Sequence, residues 1–379
     1  MIYLDSNATT RPAPEVVRAM ADMLENDWAN PSSAHRLGQR ARAKLDHARE
    51  QVAAVVHCAA SELFFTGCGT EAINTAIRGL VAARQPRKRI VTSQVEHSAV
   101  RELCQQLARD GYEVIEIGVN QAGEIDLTHL FDIVDDQCAL LTLMWANNET
   151  GVIWPVEEIA QHCKLHKVPL HLDATQAVGK IPVDVAALGV DAASFAGHKF
   201  HGPKGVGALY TRRGVRLRPW LIGGPQERGR RGGTENTSGI VGMGAAAEVA
   251  MNTLDQMTRV KTLRDQFEER LLKEIPETAV NSATTLRLPN TSNVGFAALS
   301  AEAILLSLSE KGVCASAGAA CSSGSLEPSH VLKAMHVDHR YAHGAIRFSL
   351  SRYTTQAEID QTISVLGPII AKLRSVMPV

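Results

Sequence analysis

Between residues 60 and 215 the apolar residues fall in short blocks. Glu62–Thr66, Arg89–Ser93, Leu140–Trp145, Val168–Asp173 and Val206–Tyr210 are nearly continuous runs that read as buried strands. Glu71–Ala83 and Val156–His166, which lie between them, carry apolar residues at helical spacing and predict amphipathic helices. Strands that alternate with helices imply a mostly parallel sheet covered on both faces, an α/β fold.

The pattern changes near Gly239. One long helical stretch is predicted through Ala245 and Leu254 to about Ile275. Sparser strands (Asn293–Ala298, Ala345–Leu350) and helices (Ala303–Glu310, Ala357–Leu373) follow. They predict a second, smaller α+β domain hinged on the long helix, joined by the strand-like opening Ile2–Leu4. The expected division is 14–255 for the large domain, and 1–13 with 256–379 for the small one. No internal repeat and no low-complexity tract is visible.

Composition narrows the class. A chain of 379 residues with 45% hydrophobic content is long enough for two cores. Lys and Arg total 39 against 40 Asp and Glu, a formal net charge of -1, so nothing global argues for nucleic acid or a membrane surface. The opening MIYLDSNATT lacks a basic segment followed by an apolar run, so no signal peptide is expected. No stretch reaches the length of a membrane span; the Ala-rich region near Gly244 is broken by Glu248. Seven scattered cysteines, an odd number, suit a reducing compartment, and a cytoplasmic protein is expected.

Candidate chemistry begins with HLDATQAVGK, His171 to Lys180. An apolar strand ends there in Asp173, where open α/β sheets bind ligands. A helix N-cap is the alternative use of that carboxylate. In Ser194 to Tyr210 another strand-like run ends in His198-Lys199, before a Gly-Pro-Lys-Gly turn. A desolvated lysine at a strand end can form a Schiff base; a surface loop lysine is the plainer reading. Lys204, inside the turn, competes for the role but suits a solvated one. Asp173 and Lys199 together suggest pyridoxal phosphate, which needs a lysine for its aldehyde and an acid for its pyridine nitrogen.

A phosphate must also be held. Phe64 to Asn74 reads as strand, Gly-rich turn and helix start, so the N–H groups of Gly69 and Thr70, the Thr70 hydroxyl and the helix dipole can cradle an anion. A tight turn alone also explains that spacing. His97 follows Ile90–Ser93 and can stack on a cofactor ring or be an ordinary hydrogen-bonded histidine. Asn148, after the apolar run to Trp145, can donate to cofactor or substrate carboxylate, or simply form the turn of Asn-Asn-Glu-Thr-Gly. Arg347, in a strand-like alternation, suits a carboxylate clamp or a salt bridge on a sheet face.

Cys321 stands in Cys314 to Val331, a run of Gly, Ala and Ser. Such a composition predicts a mobile segment, unlike the apolar surround a structural cysteine prefers. Cys314, after Val313, suits packing instead.

With these motifs in order along nearly the whole chain, the sequence resembles the cysteine desulfurases of the NifS/IscS type, within the fold-type I pyridoxal-phosphate enzymes. The resemblance runs from YLDSNATT (Tyr3–Thr10) and NPSSAH (Asn30–His35), through TGCGTEAIN, EHSA, NNETGV, DATQAVGK, GHKFHGPKG and ERGRRGGTEN (Glu227–Asn236), to ACSSGSLEPSHV (Ala320–Val331) and IRFSLSRYTT (Ile346–Thr355). It implies Lys199 as the Schiff-base lysine, Asp173 as partner of the pyridine nitrogen and Gln176 on the phenolic oxygen. His97 would stack on the ring and assist proton transfer. Gly69, Thr70 and His198 would hold the phosphate, and Thr234 would reach it from the neighbouring subunit of a homodimer with shared sites. Asn148 and Arg347 would bind the carboxylate of free L-cysteine. Cys321 would take its sulfur as a persulfide, leaving alanine.

Three positions depart from the pattern. Ala196 stands where the family usually has serine, which predicts one missing phosphate contact and lower cofactor affinity. GAACSS replaces GSACTS without consequence for the thiol. The chain stops at Val379, short of the tail with which longer members dock a scaffold. The sulfur acceptor stays open: an iron–sulfur scaffold, or a tRNA- or DNA-thiolation component. So does a role for Cys321 as transient ligand of a nascent cluster.

Other readings compete. An aminotransferase or β-lyase would share Lys199 and Asp173 but need no mobile thiol. A non-catalytic regulator that binds the cofactor lacks an appended DNA-binding module here. His162, Cys163 and His166 on one helix carry metal-ligand residue types, against the default of helix surface. The arginine-rich stretch from Arg212 to Arg231 suits an acidic partner, tRNA or scattered solvated charge.

Overall fold

The structure, a computed structural model, describes residues 1–318 and 327–376. Its strands are β1 (Ile2–Tyr3), β2 (Leu63–Thr66), β3 (Arg89–Ser93), β4 (Glu113–Ile117), β5 (Cys138–Met144), β6 (Leu170–Asp173), β7 (Ala192–Ala196), β8 (Gly207–Thr211), β9 (Thr278–Val280), β10 (Thr291–Phe296), β11 (Val313–Cys314) and β12 (Ala345–Ser349). Seven of them form one sheet in the order β2-β8-β7-β6-β5-β3-β4. Neighbours are parallel from β4 to β7, and β8 runs against both β7 and β2.

Two-residue periodicity sorts the side chains of this sheet between its faces. Phe64, Leu140 and Leu209 pack with helices Gly69–Ala83 and Ser98–Arg109. Leu63, Phe65, Leu141, Leu143 and Tyr210 point the other way, into the core shared with helices Pro14–Asn26, Arg36–Val55, Val156–His166 and Thr237–Asn252. Covering on both faces is why the strands read as continuous apolar runs.

The sequence does not announce Pro14–Asn26 or Arg36–Val55, because their apolar stripes are narrow. Arg36–Val55 buries Ala41, Leu45, Ala48 and Val52 in an otherwise polar helix. It packs closely on Thr237–Asn252: a Cβ at Gly244 would stand 2.7 Å from the Ala48 Cα, so only glycine fits there.

The single long helix expected after Gly239 is two, Thr237–Asn252 and Gln256–Glu274. The break at Thr253 has a local cause. Its hydroxyl donates back to the Val249 carbonyl at 2.7 Å, and the run Asn-Thr-Leu-Asp offers weak helix formers. The first helix buries Ile240, Met243 and Ala247 under the large sheet. The second buries Val260, Phe267 and Leu271 in a separate core with Ile2, Leu4, Phe296, Phe348 and Ile363.

That second core lies on a sheet of order β12-β10-β9, all antiparallel. The chain start is stitched to it. Ile2 and Tyr3 pair in parallel with Val313 and Cys314, and Asp5 bridges to Ser349. The segment after it crosses to the large sheet, where Thr10 N donates to His198 O at 2.9 Å. Among the described residues no helix is long and apolar enough to cross a membrane.

Candidate active site

Strands β3, β5, β6 and β7 are parallel, so their C-terminal ends, Ser93, Met144, Asp173 and Ala196, share one edge of the sheet. A cavity of about 440 Å³ opens there. It brings together Gly69, Thr70, His97, Asn148, Asp173, Gln176, His198, Lys199 and Arg347. A larger groove, about 1050 Å³, runs past Trp154 and Leu286. Its walls carry no lysine, histidine or cysteine, so chemistry rather than volume marks the site. Thr234 is exposed and lies outside the cavity. Cys321 falls outside the described residues.

Lys199 ends the 3₁₀ turn Gly197–Lys199 that follows β7. Its Nζ donates to Asn7 O at 2.7 Å and Ala8 O at 2.9 Å. Lys204, the competing lysine, is exposed and off the cavity wall. Asp173 is the last residue of β6 and 6% exposed. Its Oδ1 accepts from Thr175 N at 3.0 Å, so it shapes the turn after the strand rather than capping a helix.

His97 caps the helix Ser98–Arg109, its Nδ1 accepting from Ala99 N at 3.1 Å. An acceptor Nδ1 leaves the proton of the neutral ring on Nε2. Burial pushes this histidine down, Asp173 opposes that and Lys199 adds to it. The ring is therefore neutral near pH 7. His330, also on the cavity wall, is pushed down by burial and bonds Glu96 O through Nε2 at 3.0 Å.

At the other end of the cavity the helix Gly69–Ala83 points its N-terminus inward. Close by stands the Thr175 hydroxyl, buried and without a partner among the described residues. A Cβ on Gly69 would come to 3.8 Å from that oxygen and 3.3 Å from the Ala196 methyl, so a side chain here would fill the space in front of the helix. His198 bonds Thr9 Oγ1 through Nδ1 at 3.2 Å and is pushed down to about 4, first by burial and then by Lys199. An unused hydroxyl, helix N–H groups and the second ring nitrogen of a neutral histidine are a donor set that fits a phosphate.

Arg347 makes the salt bridge of one of its sequence readings and also lines the cavity. It is 2% exposed, and Nη2 donates to Asp5 Oδ1 at 2.8 Å while Nη1 donates to Asn148 O at 3.0 Å. Those bonds use two of its five N–H donors, and the buried Nε has no partner among the described residues. The turn-forming role weighed for Asn148 belongs to Asn147, whose Oδ1 accepts from Glu149 N at 2.8 Å and Thr150 N at 2.9 Å. Gln176 donates from Nε2 to Asn7 O at 3.1 Å, and its Oε1 accepts from Lys180 Nζ.

Asn7, Thr175, Lys180, Glu149 and His330 escape the reading of the sequence. Asn7 is 1% exposed and bonds to Asn148, Thr291, Lys180, Gln176, Lys199 and Asn290. Lys180 carries the one signal that was available, a lysine set between Ala177-Val178 and Ile181. Glu149 is fully buried, which pushes its pKa up, and accepts from Ser329 Oγ at 2.5 Å.

The other candidates resolve into structural roles. His162 stacks between Phe131 and His166 and bonds Val134 O, while Cys163 is buried in the core. Among the described residues no three His, Cys, Asp or Glu group to hold a metal. In the arginine-rich stretch, Arg212 pairs with Asp191, Arg231 pairs with Glu71, and Arg228 donates to Leu63 O.

This arrangement on this fold belongs to a known class: the chain is a member of the aminotransferase class-V family, whose profile matches residues 2–362. Within that family it belongs with the cysteine desulfurases. It is 51% identical to the cysteine desulfurase of Trichormus azollae over 379 residues, all of this chain and 95% of the relative. A solved NifS-like protein superposes with a TM-score of 0.92 at 38% identity, covering 98% of this chain and all of the other. A structure described as SspA in complex with cysteine matches at 33% identity and TM-score 0.82, covering 94% of this chain and all of the other. The family works with pyridoxal phosphate, on the fold-type I architecture seen here.

Proposed function

We propose that this chain holds pyridoxal phosphate through Lys199 and moves the sulfur of free L-cysteine onto Cys321. The observation that carries the reading is one cavity walled by Lys199, Asp173 and a neutral His97. Gly69, Thr70, Thr175 and His198 would hold the phosphate, Gln176 the phenolic oxygen and Asp173 the ring nitrogen. When bound, the cofactor supplies an electron sink for negative charge on the substrate.

This chain's own groups do the rest. Arg347 and Asn148 hold the substrate carboxylate, with the spare N–H donors of Arg347 forming the clamp. Lys199 Nζ takes the α-proton, and His97, with its proton on Nε2, assists its transfer. The Cys321 thiolate attacks the substrate sulfur, so an S–S bond forms as the Cβ–S bond breaks. One proton is delivered to Cβ and one returned to Cα, drawn from the α-proton held by Lys199 and the proton Cys321 gave up as a thiolate, which leaves alanine and a Cys321 persulfide.

We further propose a homodimer in which Thr234, exposed on its own chain, completes the phosphate site of the partner subunit. The acceptor of the persulfide is a scaffold for iron–sulfur assembly or a tRNA- or DNA-thiolation component. A cytoplasmic setting suits a persulfide chemistry and the free thiols Cys58, Cys68, Cys104, Cys138, Cys163 and Cys314.

The test is an absorption spectrum of the purified protein before and after L-cysteine, with alanine and sulfide quantified. A visible band that shifts with cysteine, with alanine formed without a keto-acid acceptor, is the expected result. A coloured protein that makes no alanine would point to another amino-acid substrate. A colourless protein that the cofactor cannot restore would overturn the roles of Lys199 and Asp173.

A further inference from the structure

Lys180 is 6% exposed, yet among the described residues it pairs with no carboxylate. Its Nζ donates to two amide oxygens, Asn7 Oδ1 at 3.1 Å and Gln176 Oε1. Such burial is unfavourable for a cation. Burial pushes Lys180 well below its ordinary value, and Lys199 and Arg347 add to the shift. A neutral amine keeps two hydrogens, enough for both bonds, but gains a lone pair, whereas the ammonium can only donate. The other titratable groups around it are His198, His201 and Arg352.

The consequence is directional. Both bonds run outward from Nζ, so the atoms facing it are amide oxygens. That fixes the Gln176 amide: Nε2 turns to the far side, donating one hydrogen to Asn7 O and presenting the other to the cavity that Gln176 lines. It fixes Asn7 as well, whose Nδ2 reaches Asn148 O at 3.1 Å and Thr291 Oγ1 at 2.8 Å. The Asn7 carbonyl in turn takes Lys199 Nζ.

We infer that Lys180 is a positioning residue: it locks the Asn7 and Gln176 amides so that Gln176 presents an N–H to the cofactor. The inference rests on the function proposed above. Lys180 itself does not line the cavity.

The experiment is a double-mutant cycle read on the pH midpoint of the visible band in the cofactor-loaded protein. Lys180→Met and Gln176→Leu should each raise the midpoint by about one pH unit, the size of one charge-assisted hydrogen bond. In the Gln176→Leu background Lys180→Met should add nothing. Additive shifts, or no shift from Lys180→Met alone, overturn the inference and leave the function standing. A wild-type protein with no visible band overturns the function and this inference with it. Should Lys180→Met not fold, Lys180→Gln enters the same cycle: its shift must also vanish beside Gln176→Leu, and an additive shift is the overturning result.

Discussion

The amine of Lys199 donates to the main-chain carbonyl of Asn7 at 2.7 Å, across 192 residues of sequence. The lysine is thus moored by a segment outside its own sheet. The Asn7 side chain holds that segment through Asn148, Thr291, Lys180 and Asn290. Asn7→Ala would leave buried partners unsatisfied, and we expect it to lower stability by about 2–4 kcal/mol. Urea unfolding of the two proteins checks this; a loss under about 0.5 kcal/mol would mean the carbonyl alone is enough.

Cys321→Ser should keep the cofactor band and lose persulfide. The measurement is cyanide-reactive sulfur after one exposure to L-cysteine. Steady alanine production at the wild-type rate would remove Cys321 from the mechanism.

Arg347→Lys exchanges a planar fork for a single point donor in a site that also holds Asp5. KM for L-cysteine should rise about tenfold or more, with kcat changed less, because the lost contact is to the carboxylate rather than to the reacting sulfur. Initial rates of alanine formation over a range of cysteine decide it. An unchanged KM would return Arg347 to its salt-bridge role.

The Thr175 hydroxyl, unpartnered among the described residues, stands beside Gly69 and the Ala196 methyl. Thr175→Val preserves its shape and deletes the donor. Cofactor release should quicken about tenfold, equivalent to one hydrogen bond to a charged group. Loss of the visible band on dilution gives the rate. A wild-type rate would mean that the helix N–H groups and His198 suffice.

His171 is fully buried between Thr142 Oγ1 at 2.8 Å and Ser194 Oγ at 3.0 Å. Burial pushes it down to about 4 from an ordinary 6.5. Its folded value lies below its unfolded one, so its stability contribution is complete above pH 6.5 and is lost as pH falls toward 4. The loss is up to about 3 kcal/mol for this group. His198 and His201, also near 4, act in the same direction. Thermal unfolding of cofactor-free protein should show the fall across that window, and His171→Gln should flatten part of it. A parallel fall in the variant would assign the loss to other groups.

Legibility in the sequence followed how local each cause was. Strands buried on both faces, such as Cys138–Met144, advertise themselves as apolar runs, and their C-terminal ends point to Asp173 and Lys199. Arg36–Val55 does not, because a stripe of four small or aliphatic residues on a polar helix resembles surface. The break at Thr253 depends on one hydroxyl bond and is invisible to periodicity. Asn7 and Thr175 matter through groups far along the chain, so no spacing could reveal them, and Lys180 joins its near neighbour Gln176 to the distant Asn7. Motif resemblance covered their segments without saying what the side chains do there.

The pairing of Ile2–Tyr3 with Val313–Cys314, and of Asn7 N with Ser349 Oγ at 2.9 Å, sets an order on how this molecule is made. The large sheet can form while the ribosome is still working, since all its strands precede residue 212. The leading peptide that moors Lys199 waits for strands translated more than 100 residues later. The setting of Lys199, the lysine proposed above to hold the cofactor, is therefore complete only after both sheets have been translated.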